Sequence, residues 1–500
     1  MSRLSSNILF NILGQLVLAL LAYASVKYIY TGLGADALGI IFFVNMSASI
    51  ASAVLEMGVC STTVREVSVY YGKDSNYIKR LLQTFSCYFW CGSLLLALVV
   101  YWSTPFLASK WIKLQELELG SAIEVCRAMG IGLIIAIPKS LYASAFRGIG
   151  RMDYTNIIDV GFGCIQQGGT IILVVSQSSL VMVAYWIGIV SFAQLVVYFH
   201  CLSRFFPRSA FIPMVHRDVV KRTFRFSGGM ALMSLATMIH MQIDKILISK
   251  LLPVGLLGYY SIAYSTVQKG TIFHSSVVTA VFPHFSSLYS AGDHVAFLKE
   301  YRKYQDLLCY GAVPIFFSIP FVIVPLFTFL TREDVAIQLL VPASLLALGF
   351  YMSATINIPY FAVLASGRSE YAARLGVYAL FIVVPGSCLA VYYLGMVGAG
   401  CSFVIYHLFA YIYFIPIACA EVIGIETSAW FRHILRIAFL ISGTYGAIWM
   451  LMVWNSDFAI GRLFAAYTIA TASFLIIAYR LIGSELKAES RKLIRGLFGR

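Results

Sequence analysis

Fourteen apolar runs, most of them about 20 residues or longer, follow one another with only short polar breaks. They cover approximately 8–30, 38–59, 82–108, 121–146, 157–176, 180–203, 226–249, 257–281, 305–330, 336–365, 373–395, 399–420, 434–454 and 460–482. About twenty helical residues rise ~30 Å, the thickness of a bilayer's hydrocarbon core, where every backbone N–H and C=O must find its partner within the protein. Only helices and closed barrels meet that condition, and these runs lack the apolar–polar alternation of barrel strands. With 60% hydrophobic residues, 12% charged ones and a mean hydropathy of +0.84, the sequence predicts an all-α polytopic membrane protein of about 14 transmembrane helices.

Lys and Arg resist translocation, so their distribution orients the spans. With both termini placed in the cytoplasm, 26 of the 36 Lys and Arg fall in inner segments. Five fall in outer segments (Lys110, Lys113, Lys250, Arg332, Arg462) and five within spans (Lys27, Arg127, Lys139, Lys245, Lys269). The net charge of +14 is then chiefly an inner-face signal beside acidic membrane lipids, and it requires no nucleic-acid partner. The N-terminus has the outline of a signal peptide, with Arg3, an apolar stretch and Ala22-Tyr23-Ala24. Asn11 and Gln15 interrupt that run and the repeat described next needs the span, so its retention is expected. Most of the ten Cys lie within spans, Cys87 and Cys91 one turn apart, which predicts packed thiols rather than disulfides or a metal site.

The phrase "GRMDY" at 150–154 returns as "GRSEY" at 367–371, each after a span that runs inward. Three further features recur at nearly the same offset. Leu38-Gly39 returns as Leu257-Gly258, "VYYGKDSNYIKR" is echoed by "SLYSAGDHVAFLK", and Lys27 has its counterpart in Lys245. Four matches in order, with one polarity, predict two six-helix halves, 1–203 and 226–420, joined by a basic cytoplasmic linker, 204–225. Six spans return each half to the side it started from, so the halves are expected to be related by a pseudo-two-fold axis along the membrane normal. Residues 421–500 add two helices and a basic cytoplasmic tail. The phrase itself reads either as a turn that fixes topology, with Gly ending the helix and Arg at the inner interface, or as a gate that breaks and re-forms.

The 6+6+2 arrangement, the two "GR-x-acidic-Tyr" phrases and "DKILISKLLPVGLLGYYSIAY" at 244–264 resemble the polysaccharide-transporter branch of the multidrug/oligosaccharidyl-lipid/polysaccharide (MOP) exporter superfamily. Within it the likeness is to bacterial O-antigen (Wzx-type) flippases and extends over nearly the whole chain. The resemblance implies a flippase for undecaprenyl-diphosphate-linked oligosaccharide in the bacterial inner membrane, with a cavity lined by the first, second, seventh and eighth spans. It also implies partners of the surface-polysaccharide pathway, a polymerase and chain-length proteins.

A charged sugar–diphosphate head crosses hydrocarbon only through a polar, preferably cationic lumen, which directs attention to polar residues inside spans. In the seventh span Ser234, Thr237, His240 and Asp244 share one helix face. That stripe reads as a lumen wall, with Asp244 able to bind a coupling proton or sodium ion, or as a helix–helix hydrogen-bonding seam. Lys269 lies near the midpoint of the eighth span, with Ser265, Thr266 and Ser276 roughly on its side, and it needs an anionic partner: a carboxylate such as Asp244, or the substrate diphosphate. Lys139 follows Pro138 without an acid nearby in sequence and is the next cavity cation. Asn7, Asn11 and Gln15 form a polar inner-leaflet face on the first span; Lys27 lies off that face and either enters the cavity or snorkels, an ambiguity Lys245 shares. Glu56 is a second candidate for the coupling ion, His274 a further lumen candidate, and Glu124 is expected to pair with Arg127 three residues on.

No G-x-x-x-x-G-K-[ST], H-E-x-x-H, G-x-S-x-G or D-x-D pattern occurs, which argues against ATP hydrolysis and against a membrane-embedded polymerase or acyltransferase. No cofactor is expected. The alternatives are a drug/cation antiporter of the same fold and, against the absence of these motifs, the membrane-embedded polymerase or acyltransferase.

Overall fold

In a computed structural model of the chain, the described backbone covers residues 3–454 and 459–488, and side chains are described outside 3–13 and 224–234. Two compact units divide the chain at residues 259 and 260. Compactness groups what touches, whereas the internal repeat groups what recurs, so this boundary and the expected halves are separate properties.

The first unit contains α1 (Arg3–Glu56), α2 (Val59–Tyr70), α3 (Ser75–Phe106), α4 (Leu119–Ile135), α5 (Lys139–Gly148), α6 (Met152–Val175), α7 (Leu180–Leu202), α8 (Arg217–Leu251) and the start of α9 (Val254–Gln268). The second continues with α10 (Thr271–Ser290), α11 (His294–Phe316), α12 (Ile319–Leu330), α13 (Glu333–Ala365), α14 (Ser369–Leu394), α15 (Met396–Ala418), α16 (Thr427–Ile441), α17 (Ala447–Trp454) and α18 (Ile460–Leu481). Each unit has its own apolar core: Phe85, Phe89, Phe146 and Tyr198 in the first, Phe285, Phe297, Phe414 and Trp430 in the second. Outward faces carry bare apolar side chains such as Trp102, Ile412 and Phe439, the reverse of a water-soluble surface and what lipid contact requires.

Among the described residues, eleven helical segments are long and apolar enough to cross a membrane. The difference from the fourteen spans expected lies at three places. α1 runs through both of the first two spans, bending at Gly34. The seventh span falls in α8, part of which lies outside the described side chains, and the eighth is divided between α9 and α10.

The repeated phrases share local geometry. Gly150 (φ 74°) and Gly367 (φ 80°) each follow a helix end in the left-handed conformation that glycine tolerates without a Cβ penalty. The arginines then diverge. Arg151 pairs with Asp153 at 2.9 Å, while Arg368 reaches Glu421 at 3.0 Å. In the echoed loops, Asp74 caps α3 by accepting from the Tyr77 N–H (2.8 Å), and Asp293 caps α11 by accepting from the Ala296 N–H (2.9 Å). The two Leu-Gly pairs meet each other. A Cβ on Gly39 would collide with the Val254 carbonyl, and one on Gly258 would lie 3.0 Å from the Gly39 nitrogen and against Leu38, so α1 and α9 cross at backbone contact.

Candidate functional site: charged residues at helix interruptions

Three of the sequence-predicted residues sit where a helix ends and another begins, Lys139 and Lys269 within expected spans and Glu56 at the end of one. Glu56 ends α1 just before Gly58, whose φ of 73° breaks the helix ahead of α2. Lys139 opens α5 directly after Pro138, which has no N–H and cannot continue α4. Lys269 and Gly270 lie between α9 and α10, where a side chain on Gly270 would run into Ile315 and Phe316. Short-range bonds hold each interruption, with Ile137 N–H to Ile134 C=O at 3.1 Å and Gly270 N–H to Val267 C=O at 3.0 Å. Interrupted helices inside a bilayer are tolerated where the freed polar groups line a cavity or are buried in protein, which makes these charged positions candidates for substrate contact.

The first two interruptions are joined. Glu56 Oε1 accepts from Ser52 Oγ (2.7 Å), one turn back, and from Ser140 Oγ of α5 (2.6 Å). The neighbouring Lys139 Nζ donates to Gln194 Oε1 of α7 (2.7 Å). Gln194 Nε2 donates to Asp159 Oδ1 of α6 (2.9 Å), which also accepts from Tyr198 Oη (2.7 Å). Lys139 therefore does have an acid, reached through an amide and contributed by another helix. Residues 139 and 140 thus tie a cation and two carboxylates into one polar chain across α1, α5, α6 and α7. Such a chain can receive an anion at the ammonium while Gln194, itself fixed by Asp159, holds the ammonium in place.

In α8, Asp244 is fully buried and Lys245 is 7% exposed. Asp244 Oδ1 accepts from the Lys245 backbone N–H (2.8 Å) and lies 3.5 Å from Lys245 Nζ, which also donates to the Met241 carbonyl (2.8 Å). The pairing spares each charge the cost of isolated burial. The predicted stripe changes character along its length, with Thr237 exposed and His240 and Asp244 buried. The side chains of Ser234, Asn7 and Asn11 lie outside the described residues. Lys27 is half-buried on α1, and its carbonyl accepts from Thr31 Oγ1 (2.9 Å).

Lys269 is exposed, as are Ser265 and Ser276, whose hydroxyls donate to Ser261 and Ile272 carbonyls at 2.7 Å. His274 is buried and packs its ring against Phe316. One expected pairing is corrected. Arg127 stacks on Tyr101, 4.3 Å from the ring centroid, and donates to that residue's carbonyl instead of bridging to Glu124.

Asp36, which the sequence reading passed over, anchors the segment between α3 and α4. Its Oδ2 accepts from the backbone N–H groups of Gln115 (2.6 Å), Glu116 (2.7 Å) and Leu117 (3.1 Å), and the residue is 3% exposed. The same segment is fastened to the end of α8, with Trp111 Nε1 to Ser249 Oγ at 3.0 Å, Lys113 Nζ to Leu251 C=O at 2.7 Å and Val254 N–H to Lys113 C=O at 3.0 Å. The available signal was a lone carboxylate two residues beyond the kink glycine of an otherwise apolar run.

These features define a polytopic helical membrane protein, and its fold is that of solved MOP-superfamily transporters. The inward-facing conformation of a multidrug resistance MATE family transporter of that superfamily matches with a TM-score of 0.67 at 15% identity, over 83% of this chain and 96% of its own. The lipid II flippase MurJ in an inward closed conformation matches with a TM-score of 0.69 at 12% identity, over 94% of this chain and 99% of its own. Residues 33–331 match the family described as polysaccharide biosynthesis proteins, and the chain belongs to that family. A candidate O-antigen transporter of Shigella flexneri is 20% identical over 379 residues, 74% of this chain and 86% of that relative.

Proposed function

We propose that the chain is a flippase that carries an undecaprenyl-diphosphate-linked oligosaccharide, the repeat unit of O-antigen or another surface polysaccharide, from the inner to the outer leaflet of a bacterial plasma membrane. The observation that carries this reading is the placement of Lys139 and Lys269 at helix interruptions within a chain of the polysaccharide biosynthesis family. A cation at an interruption offers a diphosphate the charge it loses on leaving water, while the polyprenyl tail stays in the bilayer. Alternating access would expose these groups first to the cytoplasm, where both termini lie, and then to the outside. Lys27, His240 and the Asp244–Lys245 pair line the path. Asp244 or Glu56 takes up the coupling ion. The chain itself makes and breaks no covalent bond, and a polymerase and chain-length proteins consume its product. The lipid identity rests on the family resemblance.

Cells lacking this protein should regain surface polysaccharide with the wild-type chain, partly with Lys269→Arg, and not with Lys269→Ala at equal expression. Recovery with the Ala variant would remove the cation from the reading. Failure of the wild-type chain would remove polysaccharide transport and favour the small-molecule antiporter.

A further inference from the structure

At one end of the second unit, the start of α11, the α15–α16 connection and residues 483–486 after α18 enclose two adjoining cavities of about 780 and 600 Å³. They lie outside the interruptions discussed above. Four acidic residues line them, and each is already engaged. Asp306 accepts the Gly483 N–H (2.8 Å) and lies 3.4 Å from His433 Nε2, while Glu421 holds Arg368 (3.0 Å), Glu426 holds Arg432 (3.8 Å) and Glu485 holds Lys299 (3.3 Å). Two guanidinium groups are left over. Arg302, shared by both cavities, and Arg436 are exposed and have no hydrogen bond or ion pair among the described residues.

The wall of the smaller cavity carries a second, independent signal. Tyr301, Gln305 and Trp430 are each at least 96% buried. Tyr301 Oη lies against Trp430 Nε1, whereas Gln305 Oε1 has no hydrogen-bond partner. Buried polar atoms are nearly always satisfied, and this open acceptor in the cavity wall marks a place where a donor docks. A surplus of fixed positive charge beside an open acceptor matches a phosphate that carries a hydroxyl group. On the orientation expected from the basic residues, this end faces the cytoplasm, where anionic headgroups concentrate.

We propose that this pocket binds a phosphate-bearing headgroup: the phosphate bridges Arg302 and Arg436, and a hydroxyl donates to Gln305 Oε1. The chemistry is shared by an anionic phospholipid such as phosphatidylglycerol and by a soluble phosphate. The proposal stands apart from the flippase reading and does not need it.

The test is native mass spectrometry of the full-length protein in detergent with three probes: dioleoylphosphatidylglycerol, dioleoylphosphatidylcholine and inorganic diphosphate. The wild-type chain should retain phosphatidylglycerol about tenfold better than R302Q/R436Q, the loss expected for two charge-assisted contacts. Gln305→Met, which keeps the length of the side chain and loses the acceptor, should fall between them. Arg462→Gln, outside the pocket, should match wild type, and both arginines are exposed enough that the double variant should unfold at the wild-type temperature. Retention of diphosphate in place of phosphatidylglycerol, lost in the double variant, would support the anion site and assign it to a soluble phosphate. Equal retention of every probe by wild type and double variant, or retention of none, would overturn the proposal.

Discussion

Asp36 shows what one side chain contributes and why sequence alone concealed it. One carboxylate oxygen receives three backbone N–H groups from residues 115–117, and hydrogen bonds to a charged group are worth about 1.5–3 kcal/mol each. Asp36→Ala should therefore destabilise this end of the first unit by at least about 2 kcal/mol, with Asp36→Asn losing less because its amide oxygen still accepts. Hydrogen exchange at Gln115, Glu116 and Leu117 reads the effect directly, and unchanged protection in the Ala variant would contradict the anchoring role. Its partners lie about eighty positions along the chain, so no local pattern announces it. Lys139 has the same history. The apolar run marked it as a buried cation, but Gln194 and Asp159 reach it only once α5, α6 and α7 are packed. Charge inside a span is legible in sequence; its partner across helices is not.

Among the elements, interruption and crossing position the charged side chains. The run over 121–146 reads as continuous in sequence, although Pro138 within it carries the signal of the break, because a proline inside an apolar helix removes a donor. The break at Lys269 was hidden, since Gly270 stands in a run read as continuous over 257–281 and its reason, the side chains of Ile315 and Phe316, lies on another helix. The recurring Leu-Gly pair was legible as a repeat, but not as a contact between its own two copies. That contact is testable. Gly39→Ala places a methyl group against the Val254 carbonyl, where neither backbone can yield, and should cost more than about 2 kcal/mol in stability or prevent folding. Gly161→Ala in α6 meets nothing within 4 Å and should be neutral or up to about 1 kcal/mol stabilising by helix propensity. Thermal unfolding of both variants in detergent compares them. A Gly39→Ala protein as stable as Gly161→Ala would mean that α1 and α9 are not in backbone contact.

For the whole molecule, the apolar runs and the 26-to-5 distribution of basic residues carry most of what sequence reveals, because lipid leaves few ways to satisfy a backbone and the membrane sorts charge by side. The all-α polytopic class followed directly. Span count was less legible where a kinked pair reads as one helix and a broken span reads as two. If the repeat reflects two halves of one polarity, reporters fused after Arg151 and after Arg368 should both report the cytoplasm; opposite locations would dismantle that topology. The central claim, movement of a lipid-linked oligosaccharide between leaflets, is tested most directly in sealed proteoliposomes containing the purified protein, with the substrate's leaflet read by an impermeant lectin or sugar-cleaving enzyme. The account predicts protein-dependent exposure of the oligosaccharide under an imposed proton or sodium gradient. Equal exposure in vesicles with and without the protein would contradict it.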